Sequence, residues 1–224
     1  MAEPLRYEYV YVVVVLRDPL EHSAISVVAP SSIVEPMLPS RLVGDKAYDA
    51  RSVKSVCHVL DLKRITHSSF EAILSEATSI LDHPKLYLAT KQLIIDVTTT
   101  GESVVDAVDY KETWPVLVSV DSEMGDDVET IHSRDLKAAL VSAYQSQQVR
   151  ISSELELATT LNEELRSVSL TSKEELSAIA LSIAIGVWWV RMNHKRDEVY
   201  STVLGKRNGE RTDWDPLNYD QEGE

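Results

Sequence analysis

Residues 93–106 have the sequence LIIDVTTTGESVVD. Three apolar residues that end at Asp96 predict a short buried strand. Residues 98–101, three threonines and a glycine, predict a turn. Residues 102–108 predict the beginning of a helix, because their valines fall on one side at helical spacing. A strand, a tight turn and a helix with a carboxylate at the strand end are typical of an α/β domain.

The segments before this stretch predict a hairpin and a third strand. Residues 7–16 and 22–29 are apolar and rich in β-branched residues, and residues 17–21 between them carry a turn signal. We therefore expect two antiparallel strands joined by a turn. Residues 30–49 contain three prolines and a glycine and are expected to form a long loop. Residues 52–65 have an imperfect apolar alternation that predicts the third strand.

The rest of the chain alternates between helical and strand patterns. We predict helices at 68–81, 133–144, 155–165 and 173–192, and strands at 115–120 and 149–151. Thr66 and Ser68 are expected caps of the first helix, and Ser133 of the second. The apolar run 177–190 is too short to span a bilayer, which favours a buried helix. A hairpin followed by this alternation predicts an α/β fold with a mixed sheet covered by helices.

The composition limits the function classes. Of the 224 residues, 44% are hydrophobic, so a folded core is expected. The formal net charge is -14 and the sequence pI is about 4.8, and such a surface repels phosphate and disfavours strong non-specific nucleic-acid binding. Cys57 is the only cysteine, which excludes intramolecular disulfides and multi-cysteine zinc sites and fits an intracellular compartment.

Two parts of the chain differ in polarity. We expect one domain over residues 1–193 and a polar tail without its own core over residues 194–224. The tail carries few apolar residues and many charges, so it cannot offset the entropy of ordering by itself. If it orders against a partner, the expected anchors are Trp214, Leu217 and Tyr219.

Four segments, taken in order, resemble the nuclease domain of phage terminase large subunits. Residues 93–106 are similar to a strand, turn and helix of that family, in which an aspartate is followed by Thr-Gly-x-Gly and Val-x-Asp. Thr99 replaces the first glycine and Gly101 keeps the second. The other segments are 60–70, 133–140 with 149–151, and 173–180. The resemblance implies a ribonuclease H-like mixed sheet flanked by helices.

The resemblance also implies a metal-dependent endonuclease centre. In that family several carboxylates at the strand ends hold two divalent ions, Mg²⁺ or Mn²⁺, about 3.5–4 Å apart. Asp96 matches the central carboxylate, and Glu174 or Glu175 lies where the last aspartate is expected. These three residues are the predicted metal ligands, and Asp96 and Glu175 are also predicted to be catalytic. The resemblance implies no other cofactor.

The first strand departs from the family's pattern. Aligning residues 22–24 with the family's segment puts Val15 where the first metal-binding aspartate is expected. Asp18 and Glu21 lie in the turn beyond it and are imperfect substitutes. An alignment shifted by three residues would make Asp18 the missing catalytic carboxylate. With Val15 at this position, we expect little or no metal-dependent cleavage.

Each candidate residue also has an ordinary structural interpretation. An aspartate at a strand end, such as Asp96, is commonly a turn or capping residue. Asp18 precedes a proline, which is typical turn chemistry. Glu174 and Glu175 are favoured at a helix N-terminus by the helix dipole.

Two function classes therefore stay open. One is a stand-alone viral protein, similar to the terminase nuclease and associated with DNA packaging or the virion. The other is a non-enzymatic structural or adaptor protein of a phage particle that uses the fold as a scaffold. The chain lacks the GxxxxGK[ST] pattern of an ATPase, which leaves open whether an ATPase partner acts in trans. We expect packaging or virion proteins as partners, weak binding of double-stranded DNA, no membrane, and a location in the host cytoplasm or the virion.

Overall fold

The protein is described from a computed structural model, which describes residues 7–18, 21–36, 42–43, 46–66, 68–108, 110–119, 129–168, 175–193 and 199–204. The chain divides into two compact units. Unit 1 comprises Met1–Ser31 and Val56–Lys195, and unit 2 comprises Ser32–Ser55 and Arg196–Glu224. Among the described helices, none combines the length and hydrophobicity that a membrane span requires.

The positions of the strands along the sequence are close to the predicted ones. They are β1 (Tyr9–Val15), β2 (Ser23–Pro36), β3 (Leu42–Val43), β4 (Lys46–Ile65), β5 (Thr90–Asp96), β6 (Thr113–Ser119), β7 (Glu129–His132), β8 (Val149–Ile151) and β9 (Val199–Leu204). In unit 1 the strand order is β4-β2-β1-β5-β6-β7, and β8 pairs with β4. β1 is antiparallel to β2 and parallel to β5, and β5, β6 and β7 are mutually parallel.

This topology confirms the predicted ribonuclease H-like α/β fold, a mixed sheet flanked by helices. The first two strands form the expected hairpin. β1 and β5 lie side by side in one sheet, and β5 ends at Asp96 as predicted. The apolar run in β1 follows from this position, since a strand between two others and covered on both faces has no polar side.

Helices cover both faces of the sheet in unit 1. They are α1 (Phe70–Leu81), α2 (Ser133–Gln145), α3 (Ala158–Ser167) and α4 (Ala178–Asn193). Alternate residues of β1 point to opposite faces. Val12 and Val14 belong to one core with α1, whereas Val13 and Val15 belong to the other core with the remaining helices.

Several predicted boundaries were wrong. Residues 30–49 are not a continuous loop, because β2 extends to Pro36, β3 follows, and β4 begins at Lys46. The prolines did not break β2. Its pairing with β1 ends at Val28, so β1 needs no hydrogen bond from the backbone of Pro30, which has no amide hydrogen.

The helix starts also differ from the predictions. Ser69, rather than Thr66 or Ser68, caps α1 by accepting a hydrogen bond from the Ala72 amide. Ser133 is the first residue of α2, and its cap position is His132. The helix predicted from residue 173 begins only at Ala178. β7 was also not predicted, because a four-residue strand is too short for a periodic pattern.

Unit 2 contains a strand that the polar composition of residues 194–224 did not predict. β9 pairs antiparallel with the first part of β4, from Ala47 to Ser52, and β3 pairs with Lys46 and Ala47. Its sequence, VYSTVL, is rich in β-branched residues and suits a strand despite the charged surroundings. The expected anchors Trp214, Leu217 and Tyr219 lie outside the described residues.

Gly186 marks the closest approach of α4 to the sheet. A Cβ atom at this position would lie 2.9 Å from Val28 Cγ2 and 3.5 Å from Val13 Cγ2. The shorter distance lies well inside the optimal separation of packed carbon atoms. Glycine therefore lets α4 lie directly on the hairpin of β1 and β2.

We expect Gly186→Ala to destabilise the protein. Alanine is the better helix former by about 1 kcal/mol, but overpacking a core typically costs about 1–3 kcal/mol. The free energy of unfolding, measured by urea denaturation, should therefore fall. In a Val28→Ala background, where the contacting methyl groups are gone, the same change should cost little. An equal cost in both backgrounds would contradict the close approach.

The buried thiol of Cys57 gives a second prediction. The residue is 3% exposed, and burial raises the pKa of its thiol to about 12. Because the thiolate is the reactive form, Cys57 should stay unmodified by a thiol reagent at pH 8 in the native protein. It should react fully in denaturant. Rapid stoichiometric labelling under native conditions would show that this part of β4 opens readily.

Candidate functional site

The buried carboxylate of Asp96 lies at the end of β5. Its side chain is 0% exposed. Asp96 Oδ1 accepts a hydrogen bond from the Thr98 amide at 3.0 Å and another from the Thr98 hydroxyl. The same hydroxyl oxygen accepts a hydrogen bond from the Val118 amide at 2.8 Å. One threonine thus fixes one carboxylate oxygen and ties the turn to β6.

The other oxygen of Asp96 has a different environment. Asp96 Oδ2 is buried and accepts no hydrogen bond from the described part of the chain. Arg17 Nη1 lies 3.8 Å from it, within ion-pair distance. The same nitrogen donates a hydrogen bond to Thr99 Oγ1 at 3.4 Å, and the Arg17 amide donates to Ser23 Oγ at 3.0 Å. The turns after β1 and β5 therefore meet at this carboxylate.

Burial dominates the electrostatics of Asp96. Loss of hydration raises the pKa of its carboxyl above the ordinary value, because water no longer stabilises the charged form. The two hydrogen bonds from Thr98 and the positive charge of Arg17 act in the opposite direction. The carboxylate is consequently stabilised on each side by a different group.

The register of β1 and β5 decides what lies beside Asp96. In the parallel pairing of β1 with β5, Val15 lies opposite Asp96, and Val15 is fully buried. Asp18 lies three residues further on, is exposed, and its carbonyl accepts a hydrogen bond from the Glu21 amide at 2.7 Å. The register thus places an apolar side chain, rather than Asp18, next to Asp96.

Glu175 lies on a cavity that borders Arg17. This cavity of about 380 Å³ is lined by Arg17, Glu21, His22, Arg64 and residues 175–179. Glu175 is exposed and precedes α4 instead of lying within it. Asp96 is not part of the cavity wall, whereas Arg17, which lies within ion-pair distance of Asp96, lines the cavity together with Glu175. Glu174 lies outside the described residues.

The described residues alone do not fit a two-metal centre. The free oxygen of Asp96 would suit a divalent ion, since it is buried and accepts no hydrogen bond. Its neighbours do not, because Val15 has no oxygen to offer and Arg17 brings a positive charge. Over the described ranges, no three His, Cys, Asp or Glu residues lie together as a metal site. The assignments of Asp96, Glu174 and Glu175 as metal ligands, and of Asp18 as catalytic, remain predictions.

Sequence reasoning missed Arg17 and Thr98. The position of Arg17 could have been predicted, because residues that follow two adjacent parallel strands lie at the same edge of the sheet. Arg17 comes two residues after Val15, and Thr98 two residues after Asp96. For Thr98 the signal was weaker, because three consecutive threonines do not show which hydroxyl turns back to the carboxylate.

Comparisons with known proteins do not assign the chain to a family. No family model matches the chain, and no curated protein matches it in sequence. The crystal structure of the large terminase nuclease from thermophilic phage G20c is similar to it, with a TM-score of 0.45 and 11% identity over 80% of each chain. That similarity is too low to transfer the role of any residue.

The Thr98 hydroxyl offers a direct test of the site's construction. Thr98→Val keeps the shape of the side chain but leaves Asp96 Oδ1 and the Val118 amide each without one partner. An unsatisfied buried polar group costs about 1–3 kcal/mol, so the free energy of unfolding should fall by about that amount. Thr98→Ser keeps the hydroxyl and should cost clearly less. Equal losses in the two variants would contradict the bridging role.

Proposed function

We propose that this chain is a terminase-nuclease-like protein, associated with phage DNA packaging or the virion, whose metal-dependent endonuclease activity is weak or lost. The pairing of Val15 with Asp96 carries the proposal. Two-metal hydrolysis requires several oxygen donors at fixed positions. A misplacement of about 1 Å can lower a rate about a hundredfold, and an isopropyl group supplies no donor at all.

The charge of the chain supports weak contact with DNA. The formal net charge of -14 repels phosphate over long distances. Near Asp96, the cavity wall combines Arg17 and Arg64 with Glu21 and Glu175 and is not a basic surface. The proposal therefore takes other packaging or virion proteins as the main partners, in the host cytoplasm or the virion, with double-stranded DNA as a weak ligand.

A second candidate is a non-enzymatic structural or adaptor protein of a phage particle. It is favoured by the turn between α1 and β5, where Tyr87 is 82% exposed and Leu88 71% exposed. Both residues border a cavity of about 980 Å³ whose other walls include Val10 and Ile80. Exposed apolar side chains beside such a cavity are typical of surfaces that contact other proteins.

A plasmid-cleavage assay with Mg²⁺ or Mn²⁺ tests the proposal. The natural chain should give little or no cleavage above the buffer rate, and Asp96→Ala and Asp18→Ala should differ little from it. Val15→Asp restores an oxygen donor beside Asp96 and should gain weak cleavage if circular dichroism shows that it folds. Glu76→Ala, which removes a carboxylate of α1, is the matched control.

The opposite result is equally clear. Robust cleavage by the natural chain that Asp96→Ala or Asp18→Ala abolishes, and that Glu76→Ala leaves intact, would overturn the proposal. Such a result would mean that oxygen donors elsewhere in the chain complete the centre, although Val15 supplies none.

A further inference from the structure

Arg17 occupies the side of Asp96 that the hydrogen bonds leave open. Thr98 holds Oδ1, whereas Oδ2 faces Arg17 Nη1 at 3.8 Å. The Arg17 side chain is only 15% exposed, although arginine side chains are usually well hydrated. Its position is set at both ends, by Ser23 at the backbone amide and by Thr99 at the guanidinium.

We infer that the Arg17 guanidinium is a built-in counter-cation of the buried Asp96 carboxylate and takes the place of a divalent ion at this strand end. The inference rests on the proposed function in one respect, namely that no catalytic metal binds at Asp96. It goes beyond that function because it names the group that replaces the metal.

A buried carboxylate needs a compensating partner. An isolated charge in an apolar interior is strongly destabilised, so such a group is neutralised, paired or bound to a metal. Asp96 has apolar neighbours in the sheet, including Val15 and Val116. Arginine suits the role of a permanent partner, since its guanidinium does not lose its proton in proteins.

The guanidinium and a divalent ion would also exclude each other. Both would have to lie within a few ångströms of the same oxygen, where like charges repel strongly in a poorly hydrated environment. Glu21 and Glu175, which line the cavity with Arg17, are exposed to solvent. Water screens those two carboxylates, so Asp96 is the carboxylate for which pairing with Arg17 matters most.

The test is a double-mutant cycle on stability with Arg17→Gln and Asp96→Asn. Asparagine can still accept the hydrogen bonds of Thr98 at Oδ1, and a neutral NH2 group replaces the charged Oδ2 that faces Arg17. We expect each single change to lower the urea midpoint and the double variant to lose clearly less than the sum. Arg17→Lys, which keeps the positive charge, should recover part of the loss of Arg17→Gln. The exposed pair Lys63 and Glu76, whose side chains are 40% and 42% exposed, is the control cycle and should be nearly additive.

Additive losses at Arg17 and Asp96 would overturn the inference, as would equal losses in Arg17→Lys and Arg17→Gln. A second readout is the melting temperature in millimolar Mn²⁺, which should not change in the natural chain. A rise that Asp96→Asn abolishes would show that metal, not Arg17, compensates the carboxylate. Cleavage is scored separately: an inactive chain with an additive cycle refutes only the role of Arg17, and an active chain refutes the proposed function.

Discussion

The parallel pairing of β1 with β5 is the constraint on which the rest of unit 1 depends. It joins the hairpin at the start of the chain to β5 and the turn after it, about eighty residues later, and it sets which residues share the edge of the sheet. The pairing is tightly specified because both strands are buried on both faces, so a slip by one residue would turn every side chain to the wrong core. Gly186 strengthens the constraint by letting α4 lie directly on the hairpin.

The chemistry at the strand ends follows from that register. Asp96 is held in one orientation by Thr98, faces a cation on its other side, and has an aliphatic neighbour in β1. In this arrangement Arg17 neutralises the buried charge of Asp96, and the neighbouring Val15 adds no oxygen atom that could bind a metal ion. The arrangement is therefore better suited to keeping two turns together than to holding metal ions.

Strong periodic patterns in the sequence were enough to predict most of the helices and strands. The valine-rich first strand, the amphipathic α1 and the stretch ending at Asp96 each have one consistent interpretation, and the structure confirms them. Two strands were missed for different reasons: β7 has only four residues, too few for a periodic pattern, and β9 lies in a polar segment and pairs with β4, which is far away in the sequence. At the site, the sequence predicted the positions of Asp96 and Val15. It did not predict the contact of Arg17, because a side chain's direction depends on the packing around it.

We infer that Arg17, and no metal ion, compensates the negative charge of Asp96. Anomalous X-ray diffraction from crystals of the natural chain grown with Mn²⁺ tests it most directly. We expect no anomalous peak within bonding distance of Asp96, and density for the Arg17 guanidinium within ion-pair range of Oδ2. A manganese peak bonded to Asp96 Oδ2, with Arg17 turned away towards the cavity, would contradict it.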